Sequence, residues 1–558
     1  MFNKNGLRYY IFFVMVIVGA MLALTGCDSK EKDSALKSDA TNNNVISSSV
    51  KPTQNVTDEP IATSMPTQEP EKEYNKLVSF SLRTEDNPHL NESLTWEIKG
   101  NTASININYL LADEDLENVT PYIETTEGNM LLESVNIWED YTLNLENKDG
   151  TLNTYTITTK RQTNKLPVFY IEIENDKEVK SREEYLNATI RIDSSNAVGG
   201  FPSMEETDVL IRGRGHYTWK FDKTPYKLRF ETKKSVLGLN ASKNWVMLAN
   251  YVDRSLIQNH LAMELASTLT NIPYHTKQIP VDVFVNGTYR GVYTFGEQLE
   301  AKKERMDLEY NPSEVDIDYL LEVGGRDDED VYGVSYFNVG ELRNMVIKHP
   351  ERRSTAKNKI TAEQKSYILN YLEETNKAIT TLTDYEKYID VDSFVDWLII
   401  TELSYNLDCC YRRSCYLIKE KGGLLKMGPV WDFDLAFGSY FRYSTNNWAT
   451  IGSEDGYVKV TWMNYLLKDD AFKAKVKSRW NSIKNELLDK AINTIDNAES
   501  IVSPSAEYNF KVWNILGKSV PSQPESQTKY KTYGEYVGRL KNFVMNRYNW
   551  MDEQINSF

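Results

Sequence analysis

Met427-Gly428-Pro429-Val430-Trp431-Asp432-Phe433-Asp434-Leu435-Ala436-Phe437-Gly438 sets two carboxylates two residues apart among large apolar side chains, with a glycine shortly after. Side chains of an extended segment alternate in direction. Trp431 and Phe433 are then expected to anchor one face while Asp432 and Asp434 project together from the other. Like charges held that close call for a cation, an added proton or water between them. A hard cation such as Mg²⁺, bridged to phosphate, suits such a pair. A surface turn with two solvated aspartates is the alternative, and the Trp-x-Phe framing argues against it.

Upstream, Glu402-Leu403-Ser404-Tyr405-Asn406-Leu407-Asp408 follows an apolar helical stretch from Phe394 to Leu403. A hairpin-like stretch then runs from Tyr416-Leu417-Ile418-Lys419 to Leu424-Leu425-Lys426 and leads into Asp432. A helix end, a loop acid, a hairpin and a second acid form the layout in which protein kinases place their base and metal aspartates. The glycine-rich loop that such enzymes close over ATP is missing, as are a Walker loop and zinc-finger spacing.

Further outward, the chain divides by composition. Residues 76–161 alternate as short strands, for example Val78-Ser79-Phe80-Ser81-Leu82 and Tyr155-Thr156-Ile157-Thr158-Thr159, separated by Asn, Gly and Asp. That is a β-sandwich pattern, similar to the immunoglobulin-like modules of bacterial surface proteins. Such a module serves as a spacer or contacts a glycan or protein. A second strand-rich region, about 163–325, holds one expected helix at 255–269 and a hairpin turning at Asn286-Gly287. From about 355 to 558 the pattern is helical, near 362–380, 391–405, 461–467, 469–497 and 532–553. The expected fold class is therefore α+β: a bilobal domain over 163–558 preceded by an all-β sandwich.

Lys4 and Arg8 precede an apolar run that ends in Leu24-Thr25-Gly26-Cys27, the form of a lipoprotein signal over residues 1–26. Cys27 is expected to carry the lipid, tethering the protein to the extracellular face of a membrane. Residues 27–75, rich in Ser, Thr, Asn, Pro and charge, read as a disordered tether. The net charge of −16 disfavours nucleic acid or anionic lipid as a partner and is compatible with a basic substrate. Cys409, Cys410 and Cys415 crowd into one segment and read as buried, small apolar residues.

Several further pieces recur in order: Arg212-Gly213-Arg214-Gly215-His216-Tyr217-Thr218-Trp219, Lys223-Thr224-Pro225-Tyr226-Lys227-Leu228, Asn244-Trp245, and Gly291-Val292-Tyr293 with Glu297. With Asn406-Leu407-Asp408 and Pro429 to Gly438 they make residues 166–440 resemble the CotH kinase family. This family is named for spore coat protein H and comprises atypical kinases that phosphorylate Ser-rich proteins. The resemblance implies ATP and Mg²⁺ or Mn²⁺ as cofactors and a Ser-rich protein as acceptor. It implies Asp408 as the catalytic acid, Asp432 as a metal ligand and Asp434 as a second metal contact. Lys227 is the candidate phosphate-pairing lysine, with Glu264 as its partner. Arg212 and Arg214 are alternatives for phosphate, and Glu297 belongs to the same nucleotide set.

One departure stands out. The metal-binding Asn expected five residues after the catalytic Asp is replaced by Arg413, with Ser414 next. Ser414 then occupies the Asn slot as a weaker ligand, or Arg413 meets a phosphate in its place. A catalytically degenerate scaffold or binding protein is the competing class. A glycoside hydrolase is a third; its paired acids lie ~5–9.5 Å apart across a sugar cleft, a setting that Asp432 and Asp434 do not match.

Overall fold

The computed structural model describes residues 74–90, 92–107, 116–324, 336–350, 359–452 and 460–558. The signal, Cys27 and nearly all of the tether lie outside the described residues. No helix among those described is long and apolar enough to cross a membrane.

The first module has eight strands: β1 (Leu77–Leu82), β2 (Leu94–Thr95), β3 (Glu97–Lys99), β4 (Thr102–Ile107), β5 (Tyr122–Thr125), β6 (Gly128–Leu131), β7 (Tyr141–Glu146) and β8 (Leu152–Arg161). They form two four-stranded sheets, β2-β1-β5-β6 and β3-β4-β8-β7. The alternation read in the sequence supplies one inward face per sheet. Phe80 and Ile123 from one and Ile107, Leu145 and Ile157 from the other share a single core.

Seven strands follow: β9 (Val168–Ile173), β10 (Leu186–Asp193), β11 (Met204–Gly213), β12 (Tyr226–Lys234), β13 (Ser242–Leu248), β14 (Gln278–Val285) and β15 (Thr288–Glu297). They close into a barrel in the order β10-β11-β12-β13-β15-β14-β9. Parallel pairing of β14 with β9, Asp282 opposite Val168, makes the closure. Closure removes the sheet edges and encloses a core of its own, including Phe169, Trp245, Tyr293 and Phe295. The β14–β15 hairpin turns at Asn286 and Gly287, both with positive φ, as their sequence demands.

Helix α1 (Gln258–Ala266) is shorter than expected. Residues 253–257 turn first, with the Asp253 carboxylate accepting the backbone N–H of Ser255 at 2.9 Å and of Gln258 at 2.8 Å. The remaining strands are β16 (Tyr319–Val323), β17 (Phe337–Val339), β18 (Leu342–His349), β19 (Cys415–Lys419) and β20 (Leu425–Met427). They form one sheet in the order β17-β18-β16-β19-β20. Around it pack α2 (Ala362–Thr381), α3 (Val391–Ser404), α4 (Trp462–Leu466), α5 (Asp470–Val512) and α6 (Tyr533–Asn556). The chain is thus α+β. Helix α5 runs well past the expected end at 497, through Pro504. Burial of Val502, Ala506 and Phe510 offsets the backbone hydrogen bond that proline removes.

Helix α3 is fixed by a buried ion pair. Arg547 on α6 donates to Glu402 at 2.7 Å, and both side chains are inaccessible to solvent. The Ala449 N–H donates to the same oxygen, Oε2, and the Thr450 N–H to Oε1. Glu402 is a structural acid. The turn at its C-terminal side carries Asp408.

Candidate functional site

Asp432 and Asp434 come together, though not by simple alternation. Asp432 has φ +68°, so the segment bends at the first acid instead of extending through it. Phe433 enters the main core, while Trp431 packs on a separate cluster with Leu308, Leu320 and Ile418. The expectation that both aromatics anchor one face is therefore corrected. A left-handed residue between them sends each into a different core and still points both carboxylates at one pocket.

Four side chains hold this bend. Asn406 donates through Nδ2 to the Asp432 carbonyl at 3.0 Å. Asn259 on α1 accepts the Phe433 N–H at 2.9 Å and donates to the Asp434 carboxylate. Ser414 donates to Asp432 Oδ2 at 3.2 Å, so the residue expected in the Asn slot does reach the first acid. The Cys409 thiol donates to the Trp431 carbonyl at 2.8 Å. Cys409, Cys410 and Cys415 are all buried and free, with their thiols pushed up by burial.

The pocket has a volume of about 340 Å³ and is lined by Arg214, Asn259, Asp408, Arg413, Asp432 and Asp434 among others. Desolvation, then each other's charge and that of Asp408, raises Asp432 well above the ordinary carboxylate range. Asp434 is raised as well, by desolvation first, while the Asn259 hydrogen bond opposes the shift. Arg214 is a cation that enters both balances. Burial lowers its own affinity for a proton, and the two aspartates offset only part of that. It sits just beyond β11, where Gly213 lets the Trp219 ring pack against the backbone; a Cβ there would lie 2.0 Å from that ring.

Asp408 stands on the rim, 15% exposed, with Arg412 Nη1 at 3.8 Å and Arg413 Nη1 at 3.9 Å from its Oδ1. Lys227 and Arg212 are cross-strand neighbours on β12 and β11. Burial and the adjacent Arg212 push the Lys227 ammonium down to about 8, and Glu300 opposes that shift. Neither lines the pocket floor with Arg214. Glu264 does not supply the expected partner for Lys227: it pairs with Lys490 at 2.9 Å. Glu297 is buried and committed to Arg305 at 3.0 Å and to the Tyr274 hydroxyl at 2.9 Å. Sequence reasoning passed over Asn259 and Glu300. Asn259 was detectable only as a polar residue on the buried face of an apolar helix.

A divalent cation fits this donor set. The oxygens of Asp432 and Asp434 are hard ligands, desolvated and mutually repelling, and the charge of Arg214 offsets theirs in part. Among the described residues no three His, Cys, Asp or Glu side chains form a ready-made metal cluster. Mg²⁺ is commonly held by one or two carboxylates, with water and substrate phosphate completing the shell.

Proton and metal compete for the same oxygens. Carboxyls raised in the fold bind more protons there than in the unfolded chain. Their contribution to stability is thus present at low pH and lost as pH rises through the raised values. The increase in melting temperature caused by Mg²⁺ should consequently be larger at pH ~7.5 than at pH ~5.5. Thermal melts with and without Mg²⁺ measure this; an equal increase at both values would remove the two acids from metal binding.

Residues 211–551 match the CotH kinase protein family, and the chain belongs to that family. The match begins within β11, reaches into α6 and takes in every pocket residue named above. No curated protein matches the chain.

Proposed function

We propose that the chain is an atypical protein kinase of the cell surface, transferring the γ-phosphoryl group of ATP to serine or threonine of a protein, with Mg²⁺ or Mn²⁺. The observation that carries this is the convergence of Asp432, Asp434, Arg214 and Asp408 on one pocket from separate segments of the chain. When bound, the cation would supply positive charge to stabilise the transferring phosphoryl group. Asp432 and Asp434 are the residues that would hold it, kept in place by Ser414, Asn406 and Asn259. Arg214 balances the acids and faces the phosphates. Asp408 accepts the proton of the acceptor hydroxyl. That oxygen forms a bond to the γ-phosphorus as the bond to the departing ADP oxygen breaks.

The test is transfer of labelled γ-phosphate to a Ser-rich protein with Mg²⁺ or Mn²⁺. Labelling by wild type that Asp432→Ala abolishes supports the assignment; nucleotide binding with no transfer under either metal overturns it. A scaffold that only binds is favoured by one observation: Arg413 stands where a metal-binding Asn is expected and leans on Asp408.

The proposed location follows from Cys27. Each buried methylene is worth ~0.8 kcal/mol, so two or more acyl chains anchor stably. Cys27→Ala should move the protein from the membrane fraction to the soluble fraction of expressing cells. Retention on membranes would instead identify the N-terminal apolar run as an uncleaved anchor.

A further inference from the structure

Arg412 and Arg413 are fixed at the rim by their backbone. Gly324 has φ +75° and packs directly on the Arg412–Arg413 peptide; a Cβ there would lie 1.6 Å from the Arg412 carbonyl oxygen and 2.9 Å from the Arg413 nitrogen. The residue after β16 must therefore be glycine for this peptide to lie where it does. Both guanidinium groups approach the same Asp408 oxygen, at 3.8 and 3.9 Å. Those separations exceed a direct hydrogen bond. Arg413 is the more exposed, at 42%, and lines the pocket. Its planar fork thus presents donors to the space from which Asp408 is approached. Two other cations of the pocket meet acids: Lys348 lies 3.0 Å from Glu322, and Arg214 faces Asp432 and Asp434.

We propose that Arg413, with Arg412 beside it, selects acceptor serines flanked by an acidic residue, the guanidinium binding the neighbouring carboxylate while Asp408 receives the hydroxyl. This rests on the phosphoryl-transfer assignment above. An extended acceptor advances about 3.3 Å per residue, so a carboxylate one or two residues from the serine spans the gap between Asp408 and the Arg413 fork. Guanidinium–carboxylate pairing is bidentate and directional, which suits selection better than a point charge. The chain's net charge of −16 acts the other way at long range and would favour a basic acceptor. Salt screens that field over about 8 Å, whereas the Arg413 contact is at touching distance.

The experiment uses the full chain and three peptides, with serine flanked by Asp, by Ala or by Lys. Transfer with Mg²⁺-ATP and binding by fluorescence anisotropy are both measured. Wild type should show a KM for the Asp peptide about five- to tenfold below that for the Lys peptide. Arg413→Glu should reverse that order whatever the charge change does to the KM for ATP, and its melting temperature checks the fold. Equal KM values for the three peptides overturn the proposal. A rise in the ATP KM of Arg413→Glu, with peptide preference intact, also overturns it and gives Arg413 to the nucleotide phosphates. No transfer by wild type, with the Asp peptide still bound preferentially and the preference lost in Arg413→Glu, would remove the kinase assignment while keeping the acidic-peptide site. No transfer and no preference in binding would remove both.

Discussion

Asp432→Ala is expected to reduce Mg²⁺-dependent nucleotide affinity by ~10²-fold or more, because a cation on phosphate is worth several kcal/mol and each 1.4 kcal/mol is tenfold. The fold should survive. Asp432 is desolvated beside a second acid, and both are raised above the ordinary carboxylate range. Its removal takes away a repulsion that the metal-free protein carries at neutral pH, so the melting temperature without metal should hold or rise. Adding Mg²⁺ should then raise it less than in wild type. Calorimetry with ATP and Mg²⁺, beside thermal melts, separates the two effects. Unchanged affinity would take Asp432 out of metal binding. A collapse in metal-free stability would make it a structural acid like Glu402, which is buried and fully matched by Arg547.

The difference between Asp432 and Glu402 marks how much of the site could be read along the chain. Spacing alone paired Asp432 with Asp434 and set Asp408 ahead of a hairpin, and the hairpin is present as β19 and β20. Spacing did not show how the pair is held. The bend depends on a left-handed Asp432 and on Asn259, which meets Phe433 from 174 residues away. No local pattern encodes such a contact. Glu264 fails as a partner for Lys227 for the same reason. Helix periodicity places it on α1 but says nothing of Lys490 on α5, which claims it. Barrel closure is likewise non-local: alternating strands were legible, while the parallel pairing of β14 with β9 joins segments more than a hundred residues apart. The three cysteines were legible as buried because an odd, crowded set has no good disulfide geometry, and all three are free.

Asp408→Asn should separate chemistry from binding. The amide keeps the shape of the side chain and much of its hydrogen bonding but loses the charge. If Asp408 accepts or orients the acceptor hydroxyl proton, transfer should slow by ~10²–10⁴. Nucleotide affinity should change little, because Asp432 and Asp434 remain with Ser414 and Asn259 holding them. A modest gain in ATP affinity is allowed by charge, since Asp408 is one of the groups that repel the metal pair. Asp432→Asn should instead weaken affinity and rate together. Phosphate transfer to a Ser-rich protein, measured beside ATP affinity for both variants, resolves the two patterns. Equal loss of affinity in both would make Asp408 a nucleotide-binding or structural residue. The outcome also bears on Arg412 and Arg413, whose guanidinium groups converge on the Asp408 carboxylate. Arg413 lines the pocket, and loss of that charge frees its guanidinium from the acid, so Asp408→Asn should bind an Asp-flanked peptide more tightly than wild type while phosphorylating it more slowly. A purely structural acid at position 408 would give no such opposition between binding and rate.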